Sequence, residues 1–568
     1  MTQNQDTQSL FAQAHQFQQQ GQLAQAIDLY EQLLIQDANH IEALRFSGLA
    51  YAQQGNMDSA IAYLIRALEL EPEDANLHNN LANAYKKIND HDKAIQHYQT
   101  ALQLEPGYAQ AHNNLAGIYT LQNNYQLALK HYRAAVHAQP DFTHAHYNLG
   151  LLLLKHHELD AARKQFGNVL ILQPNHVEAQ FYLGVLHLDA NLLDEAEQAF
   201  QHVLALEDDH VFSLTNLGVI ALKREQGQLA IDFFTKALAF DSTNIEARNN
   251  IAATFIHHDR YENALMHYDV LLTQDPYNPE YLYNSGVAQM GLGHLKEAIA
   301  HFETILARND QHFSALNNLA AIQIRLGHRN EAIVLLQRAV AANPKDAASQ
   351  FMLHALTGDE KNPEPCPEYV SNLFNNYALY YDQHMRDSLK YTLPHSIIRA
   401  LHQLGYLHFN QTLDLGCGTG LSGVVLRESS DHLTGLDIAA KMLAQAREKA
   451  VYDTLIEAEL LSYLQEHEQN YDLILAVDVL PYSGNLQPLF EIIKQRLTSQ
   501  GLFVFSSEIS ENESWALQSS ARFCHHPDYI QTLCQEHNLQ LLYQDKMVAR
   551  QQEQQDLYVM VYVAKLIN

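Results

Sequence analysis

Basic residues are scarce in this chain: 35 lysines and arginines stand against 65 aspartates and glutamates over 568 residues, a formal net charge of −30. A nucleic-acid backbone or an anionic membrane surface is therefore a poor main partner, because both are polyanions. Cysteine is scarcer still. Cys366, Cys417, Cys524 and Cys534 are too few and too scattered for a disulfide framework, which points to a reducing compartment. Cys524, His525, Cys534 and His537 lack the paired short cysteine spacings of a zinc site, so no metal is expected. Long apolar runs are missing too. The densest, Leu149 to Leu154, fits a helix core and falls far short of the roughly 20 residues a membrane span needs. The first residues, Met1-Thr-Gln-Asn-Gln-Asp6, carry neither the basic region nor the apolar stretch of an export signal, and cytoplasm is the expected setting. What remains is a globular composition, 47% hydrophobic and 18% charged, in a chain too long for one core.

A fixed period organises the first 346 residues. Gly48, Ala82, Ala116, Gly150, Gly184, Gly218, Ala252, Gly286 and Ala320 follow one another at intervals of 34, with no insertion or deletion. Twelve residues after each stands an alanine, from Ala60 and Ala94 to Ala332, and a weaker first copy carries Ala14 and Ala26. An aromatic such as Tyr98, Phe166 or Phe234 lies four beyond the alanine, and prolines such as Pro72, Pro106 and Pro344 close the blocks where a helix must stop. The pattern is identified as that of tetratricopeptide repeats, ten of them over 7–346, each a helix pair that buries its apolar faces against the next. The expected fold is an α-helical solenoid capped by a helix over 347–357. Prolines at every second position in Pro363-Glu-Pro-Cys-Pro367 mark a linker over 358–368, which leaves 369–568 as a second domain.

Two positions before the small residue stands Asn80, Asn114, Asn148, Asn216, Asn250, Asn284 or Asn318. This position is out of phase with the packing stripe and belongs to the groove-lining face. A carboxamide there can pair with both the C=O and the N–H of a passing backbone. The pattern resembles the asparagine ladder in the repeats of O-linked N-acetylglucosamine transferases, which implies capture of an extended protein or peptide. The other reading is that these amides bond only to neighbouring helices or water.

The second domain turns on Thr412-Leu-Asp-Leu-Gly-Cys-Gly-Thr-Gly420, where an apolar run enters a loop with glycine at every second position. Without a Cβ, Gly416, Gly418 and Gly420 let the backbone turn sharply and approach a ligand closely. A dinucleotide fingerprint would need its third glycine at Leu421, so a ligand without a pyrophosphate is the better fit. A second strand, Leu433 to Leu436, ends on Asp437, placed to accept from both hydroxyls of a ribose. These residues resemble the first motif of class I S-adenosylmethionine-dependent methyltransferases, whose fold is a Rossmann-like α/β sheet. The resemblance implies that Gly416 and Gly418 back the methionine part of S-adenosylmethionine, with Cys417 and Gly420 completing the loop. It also puts Asp414 beneath the loop, Asp437 on the ribose and Glu459 near the adenine amine, where aspartate is commoner.

Around the loop, Val370 to His384 resembles the aromatic lid of methyltransferases of the ubiquinone and malonyl-carrier-protein type, with Tyr377 and Tyr381 as lid or core residues. Tyr471 to Leu480 reads as a buried strand running into Asp478, which borders either cofactor or substrate with Pro481 and Tyr482, or caps a helix. Leu502 to Ser507 is a fifth strand ending at Glu508, and Leu539–Tyr543 with Leu557–Val563 a closing antiparallel pair. The lid, the Asp478 run, the Ser520 to Tyr529 segment and the repeats together resemble a bacterial group of predicted methyltransferases carrying tetratricopeptide repeats.

Transfer of a sulfonium methyl needs proximity and exclusion of water more than acid–base help. Where the nucleophile carries a proton, Asp478, His525 (or His526) and Glu508 are the candidate bases. The expectation is a methyltransferase whose repeats recruit a protein or peptide. A quinone-like or acyl small-molecule enzyme with repeats for localisation, or a scaffold that binds the cofactor and transfers nothing, are the alternatives.

Overall fold

Each half of the 34-residue unit carries its own apolar stripe and its own stop, which dictates two helices per repeat. The computed structural model describes residues 2–358, 366–511, 513–552 and 555–567. In it the repeats form twenty helices joined by short turns, from α1 (Thr2–Gln19) to α20 (Arg329–Ala342). The turn inside a pair recurs with the period. Asn89, Asn123 and Asn191 hold φ between 55° and 60°, the left-handed conformation that asparagine tolerates at a helix end. The next N–H then reaches back across the turn, as Asn124 N does to Tyr119 O at 2.8 Å. The same asparagine caps the following helix, its Oδ1 accepting from Leu127 N at 3.3 Å.

The small residue at each helix crossing makes room for a ring. A Cβ added at Gly150 or Gly218 would stand 2.8 or 2.4 Å from Phe166 or Phe234, and both rings are fully buried. Where the small residue is alanine, at Ala82 and Ala116, the ring is Tyr98 or Tyr132. Tyr98 ends its hydroxyl on Asn83 Oδ1 at 2.5 Å.

The chain forms two compact units, Met1–His267 and Tyr268–Asn568. The division falls inside the eighth repeat and not at the proline-rich stretch, of which residues 359–365 lie outside the described residues. Because a repeat touches only its neighbours, a solenoid has no core that fixes a boundary. Within the second unit, helix α21 (Ala347–Thr357) follows the last repeat at the position expected for a cap.

The α/β part begins with α22 (Pro367–Gln383), a π-helical turn over His384–Ser388, and α23 (Leu393–Gln403). Five strands are parallel: β1 (Phe409–Leu415), β2 (Ser430–Asp437), β3 (Thr454–Glu457), β4 (Tyr471–Ala476) and β5 (Leu497–Ile509), in the order β3-β2-β1-β4-β5. A hairpin of β6 (Trp515–Leu517) and β7 (Phe523–His525) joins the end of β5. Strands β8 (Leu539–Gln552) and β9 (Gln555–Leu566) pair antiparallel, and β9 lies antiparallel on β5. Connecting helices are α24 (Leu421–Leu426), α25 (Ala440–Lys449), α26 (Leu460–Glu466), α27 (Gln487–Arg496) and α28 (Pro527–Glu536). Burial on both faces explains the continuous apolar strands. Ile474 and Ala476 of β4 pack with α27 and α28, while Leu473, Leu475 and Val477 pack on the α23 side. The strand order reverses between β1 and β4, and the crevice at their carboxyl ends is where such a sheet takes a ligand.

Candidate active site

A cavity of about 740 Å³ lies at that crevice, within the range usual for small-molecule sites. Gly416 and Gly418 form one edge, with φ of 63° and 55°. A Cβ on Gly416 would stand 2.5 Å from Val479 Cγ2, whereas Gly418 faces open space. Beneath the loop Asp414 is buried and accepts from Tyr452 Oη at 2.6 Å. Burial pushes its carboxyl up to about 7, with the Tyr452 hydrogen bond opposing and the charge of Asp437 adding. Cys417 is buried, its N–H donating to Leu436 O at 2.9 Å. Gly420 ends the loop at φ 90°.

Asp437 reaches the cavity from the tip of β2. Its two oxygens accept from Gly418 N and Ala439 N, each at 2.8 Å. Burial raises its pKa, and those N–H groups oppose the rise. Each carboxylate oxygen keeps a second lone pair for a ligand hydroxyl. Glu459 also lines the cavity, but its side chain closes the start of α26 by accepting from Leu461 N and Ser462 N at 3.0 and 2.7 Å. Open backbone at Gly418, a carboxylate at the β2 tip and apolar Met442, Leu460 and Leu461 are a donor set that fits S-adenosylmethionine.

Helix α22 covers the crevice with one face, presenting Pro367, Val370, Phe374 and Tyr381. Of the two tyrosines singled out in this helix, Tyr381 lines the cavity. Tyr377 packs edge-on against it at 5.1 Å and turns its hydroxyl to His384 Nδ1. Contacts that the sequence did not reveal fix this helix over the crevice. Asp382 accepts from Thr419 Oγ1 of the glycine loop and pairs with Lys449 Nζ, both at 2.5 Å. Ser371 and Asn375 bond to Ile438 O and Lys441 N.

Asp478 borders the cavity, and its carboxylate faces arginines and not a helix end. It sits at φ 61° after β4, with one oxygen accepting from Arg522 Nη2 at 2.5 Å and the other from Arg550 Nη1 at 3.4 Å. Glu508 pairs with the same two arginines at 2.6 and 3.5 Å, and Arg522 Nη1 donates to Tyr482 Oη at 2.7 Å. Pro481 is buried in the short turn before Tyr482. Arg522 and Arg550 carried no role in the sequence reading, because their partners lie 44 and 72 residues away. His525 is a correction. It is wholly buried on β7 and does not line the cavity. Its Nε2 donates to Ser483 O and Gly484 O at 2.9 and 3.0 Å, and burial pulls its pKa down to about 4. A neutral imidazole committed to two carbonyls is a structural group, and His526 Nδ1 caps α28 on Asp528 N.

In the repeats all seven asparagines are half-buried, and several amides are already engaged. Asn114 Nδ2 donates to Asn83 Oδ1 at 3.1 Å and Asn148 Nδ2 to Asn113 Oδ1 at 3.0 Å, both in the preceding repeat. Asn216 Nδ2 bonds to Phe212 O in its own helix, and Asn318 Nδ2 to Tyr283 Oη.

The family described as "Methyltransferase domain" matches residues 410–564, and families described as "Tetratricopeptide repeat" match 39–106, 79–141, 147–210 and 289–356. The chain joins tetratricopeptide repeats to a class I methyltransferase domain. The methyltransferase domain is similar to an 18S rRNA (guanine(1575)-N(7))-methyltransferase of Saccharomyces cerevisiae, 30% identical over 18% of this chain and 37% of that one. It is also similar to a malonyl-[acyl-carrier protein] O-methyltransferase of Bacillus cereus, 28% identical over 24% of this chain and 50% of that one. A ubiquinone biosynthesis O-methyltransferase of Photorhabdus laumondii is 30% identical over 21% of this chain and 50% of that one. The chain thus spans half or less of the length of these relatives. No helix among the described residues is long and apolar enough to cross a membrane.

Proposed function

We propose that this protein is an S-adenosylmethionine-dependent methyltransferase whose repeats recruit a protein or peptide, acting in the cytoplasm. The observation that carries the reading is the meeting of Gly416, Gly418 and Asp437 on one wall of a covered cavity at the carboxyl ends of β1 and β2. Bound S-adenosylmethionine supplies a methyl already activated by its sulfonium for in-line displacement. The chain's own residues do the rest. The two glycines would admit the amino-acid end, Asp437 would accept from the ribose hydroxyls, and Glu459 would offer its remaining lone pairs to the adenine amine. Phe374 and Tyr381 exclude water, which strengthens each polar contact inside. Asp478 remains the candidate base for a protonated nucleophile, although its two arginine partners favour an orienting role for it.

The repeats supply recruitment. An asparagine that spends one N–H on the preceding repeat retains its other N–H and spare lone pairs for a passing backbone. Net hydrogen bonds are worth about 0.5–1.5 kcal/mol each, so capture by the amides alone is weak and tolerant of sequence. The aromatic wall of Phe374, Tyr381, Tyr482 and Trp515 favours a second reading, a small acceptor such as a quinone-like ring or an acyl chain, as the names of two relatives suggest. Equilibrium binding of labelled S-adenosylmethionine to the full chain tests the cofactor site. Asp437→Ala removes a charge-assisted contact and is expected to weaken binding about tenfold or more; unchanged affinity would refute the assignment.

A further inference from the structure

The helix that follows the last repeat has two apolar faces. Leu356 of α21 packs with Leu335 and Leu336 of α20, and Arg329 Nε donates to Leu356 O at 3.0 Å. A terminal cap needs only that one buried face. Yet Phe351 and Ala355, 6% and 4% exposed, pack on the other side against Cys366, Ala521 and Phe523. The Phe351 ring lies 5.3 Å from Tyr369 in the first turn of the lid helix and 6.0 Å from Phe523 on β7. Phe523 in turn meets Trp515 at 5.7 Å and 67°, and Trp515 lines the cavity. Gly484 leaves no slack where the two rings meet, since a Cβ there would stand 2.5 Å from Trp515 and 2.8 Å from Phe523. A continuous run of packed rings therefore leads from the end of the repeats to the cavity wall.

We propose that α21 is part of the methyl-acceptor site: Phe351 is a positioning residue that sets Trp515 and the start of the lid helix, so the acceptor end is incomplete without the repeats. The proposal rests on the methyltransferase reading for the word acceptor; the geometry it asserts stands apart from it. The consequence is coupling. A ligand of the last repeats that displaces α21 moves the acceptor wall, and an occupied cavity biases the last repeats by the same free energy. Pro367 is the first residue of the lid helix and also lines the cavity, so the cover and the wall answer to one helix.

The chain contains a single tryptophan, so its fluorescence reports the wall directly. The test compares the full chain with Phe351→Ala, Phe351→Leu and, as a control buried elsewhere in the repeats, Phe302→Leu. Acrylamide quenching of Trp515 is expected to rise and its emission to shift red in Phe351→Ala, less so in Phe351→Leu, and not at all in Phe302→Leu. Affinity for S-adenosylhomocysteine is expected to be unchanged in Phe302→Leu, because Phe302 packs among the repeat helices and lines no part of the cavity. Parental quenching in both Phe351 variants, with helix content intact, would overturn the proposal, as would an equal rise in Phe302→Leu. Failure of the parent to bind S-adenosylhomocysteine would count against the cofactor reading alone, and the Trp515 comparison would still decide the role of Phe351.

Discussion

At Asp414 burial keeps the carboxyl protonated well above the pH at which an exposed aspartate ionises. Its carboxyl is buried from its ordinary 3.8 up to about 7, so between those values the folded domain holds a proton that the unfolded chain releases. Stability of the ligand-free domain is therefore greatest below about pH 4 as far as this group is concerned, and falls as pH rises toward 7, by up to about 4 kcal/mol. Asp414→Asn keeps an acceptor for Tyr452 and cannot titrate. Urea denaturation from pH 4 to 7 is expected to show a flatter pH profile in the variant; parallel profiles would contradict the assignment. The glycine loop, Asp414 and Asp437 were legible in the sequence because their meaning is local, a turn and the tips of two strands. The fate of Asp478 was not. A carboxylate at a strand end reads the same whether solvent or Arg522 faces it, and Arg522 arrives only when the β6–β7 hairpin folds back. His525 misled for a related reason: neighbours in sequence say nothing of the carbonyls of Ser483 and Gly484 that enclose it.

Successive helix pairs solve the same packing problem with different polar groups. His78 and His97 meet Nδ1 to Nδ1 at 3.0 Å, and one repeat later His112 and His131 meet at 2.9 Å. In the next repeat His146 meets Gln165 at 2.7 Å. His112 Nε2 bonds to Pro106 O, which can only accept, so its proton is on Nε2 and its Nδ1 accepts from His131. A further proton on His112 Nδ1 would make both nitrogens donors and break the bond, whereas one on His131 Nε2 places a charge on a half-buried ring beside His112. Burial, then the charge of His112, pulls His131 down to about 4, so the folded repeats bind fewer protons than the unfolded chain below about pH 6.5. Their stability is present above that value and is lost as pH falls toward 4. His131→Gln copies the next repeat's own pair and should lessen the acid sensitivity, read by helix content between pH 7 and 4; an unaltered acid transition would rule the pair out as its source. The period of 34 made these helices legible before any contact was known. The β6–β7 hairpin escaped, because strands of three residues are too short to show alternation. The closing pair β8–β9 runs longer than its apolar core, since antiparallel pairing carries polar residues such as Gln544 and Asp545 along with it.

At the scale of the molecule, a covered crevice at the carboxyl ends of a parallel sheet and a run of tetratricopeptide repeats occur in one acidic chain. The excess of carboxylates steers polyanions away, so the proposed recruitment would rest on short-range contacts, for which the repeat asparagines are the candidates. Replacing Asn148, Asn216 and Asn250 together by alanine is expected to reduce capture of partner proteins from a lysate while leaving cofactor affinity unchanged, and equal capture would remove these asparagines from recruitment. The central claim is tested most directly by incubating the full chain with a cell lysate and S-adenosylmethionine labelled in its methyl group. Label is expected in discrete protein bands, lost with Asp437→Ala and reduced with the asparagine variant. Cofactor binding without transfer to any protein or extractable small molecule would contradict it.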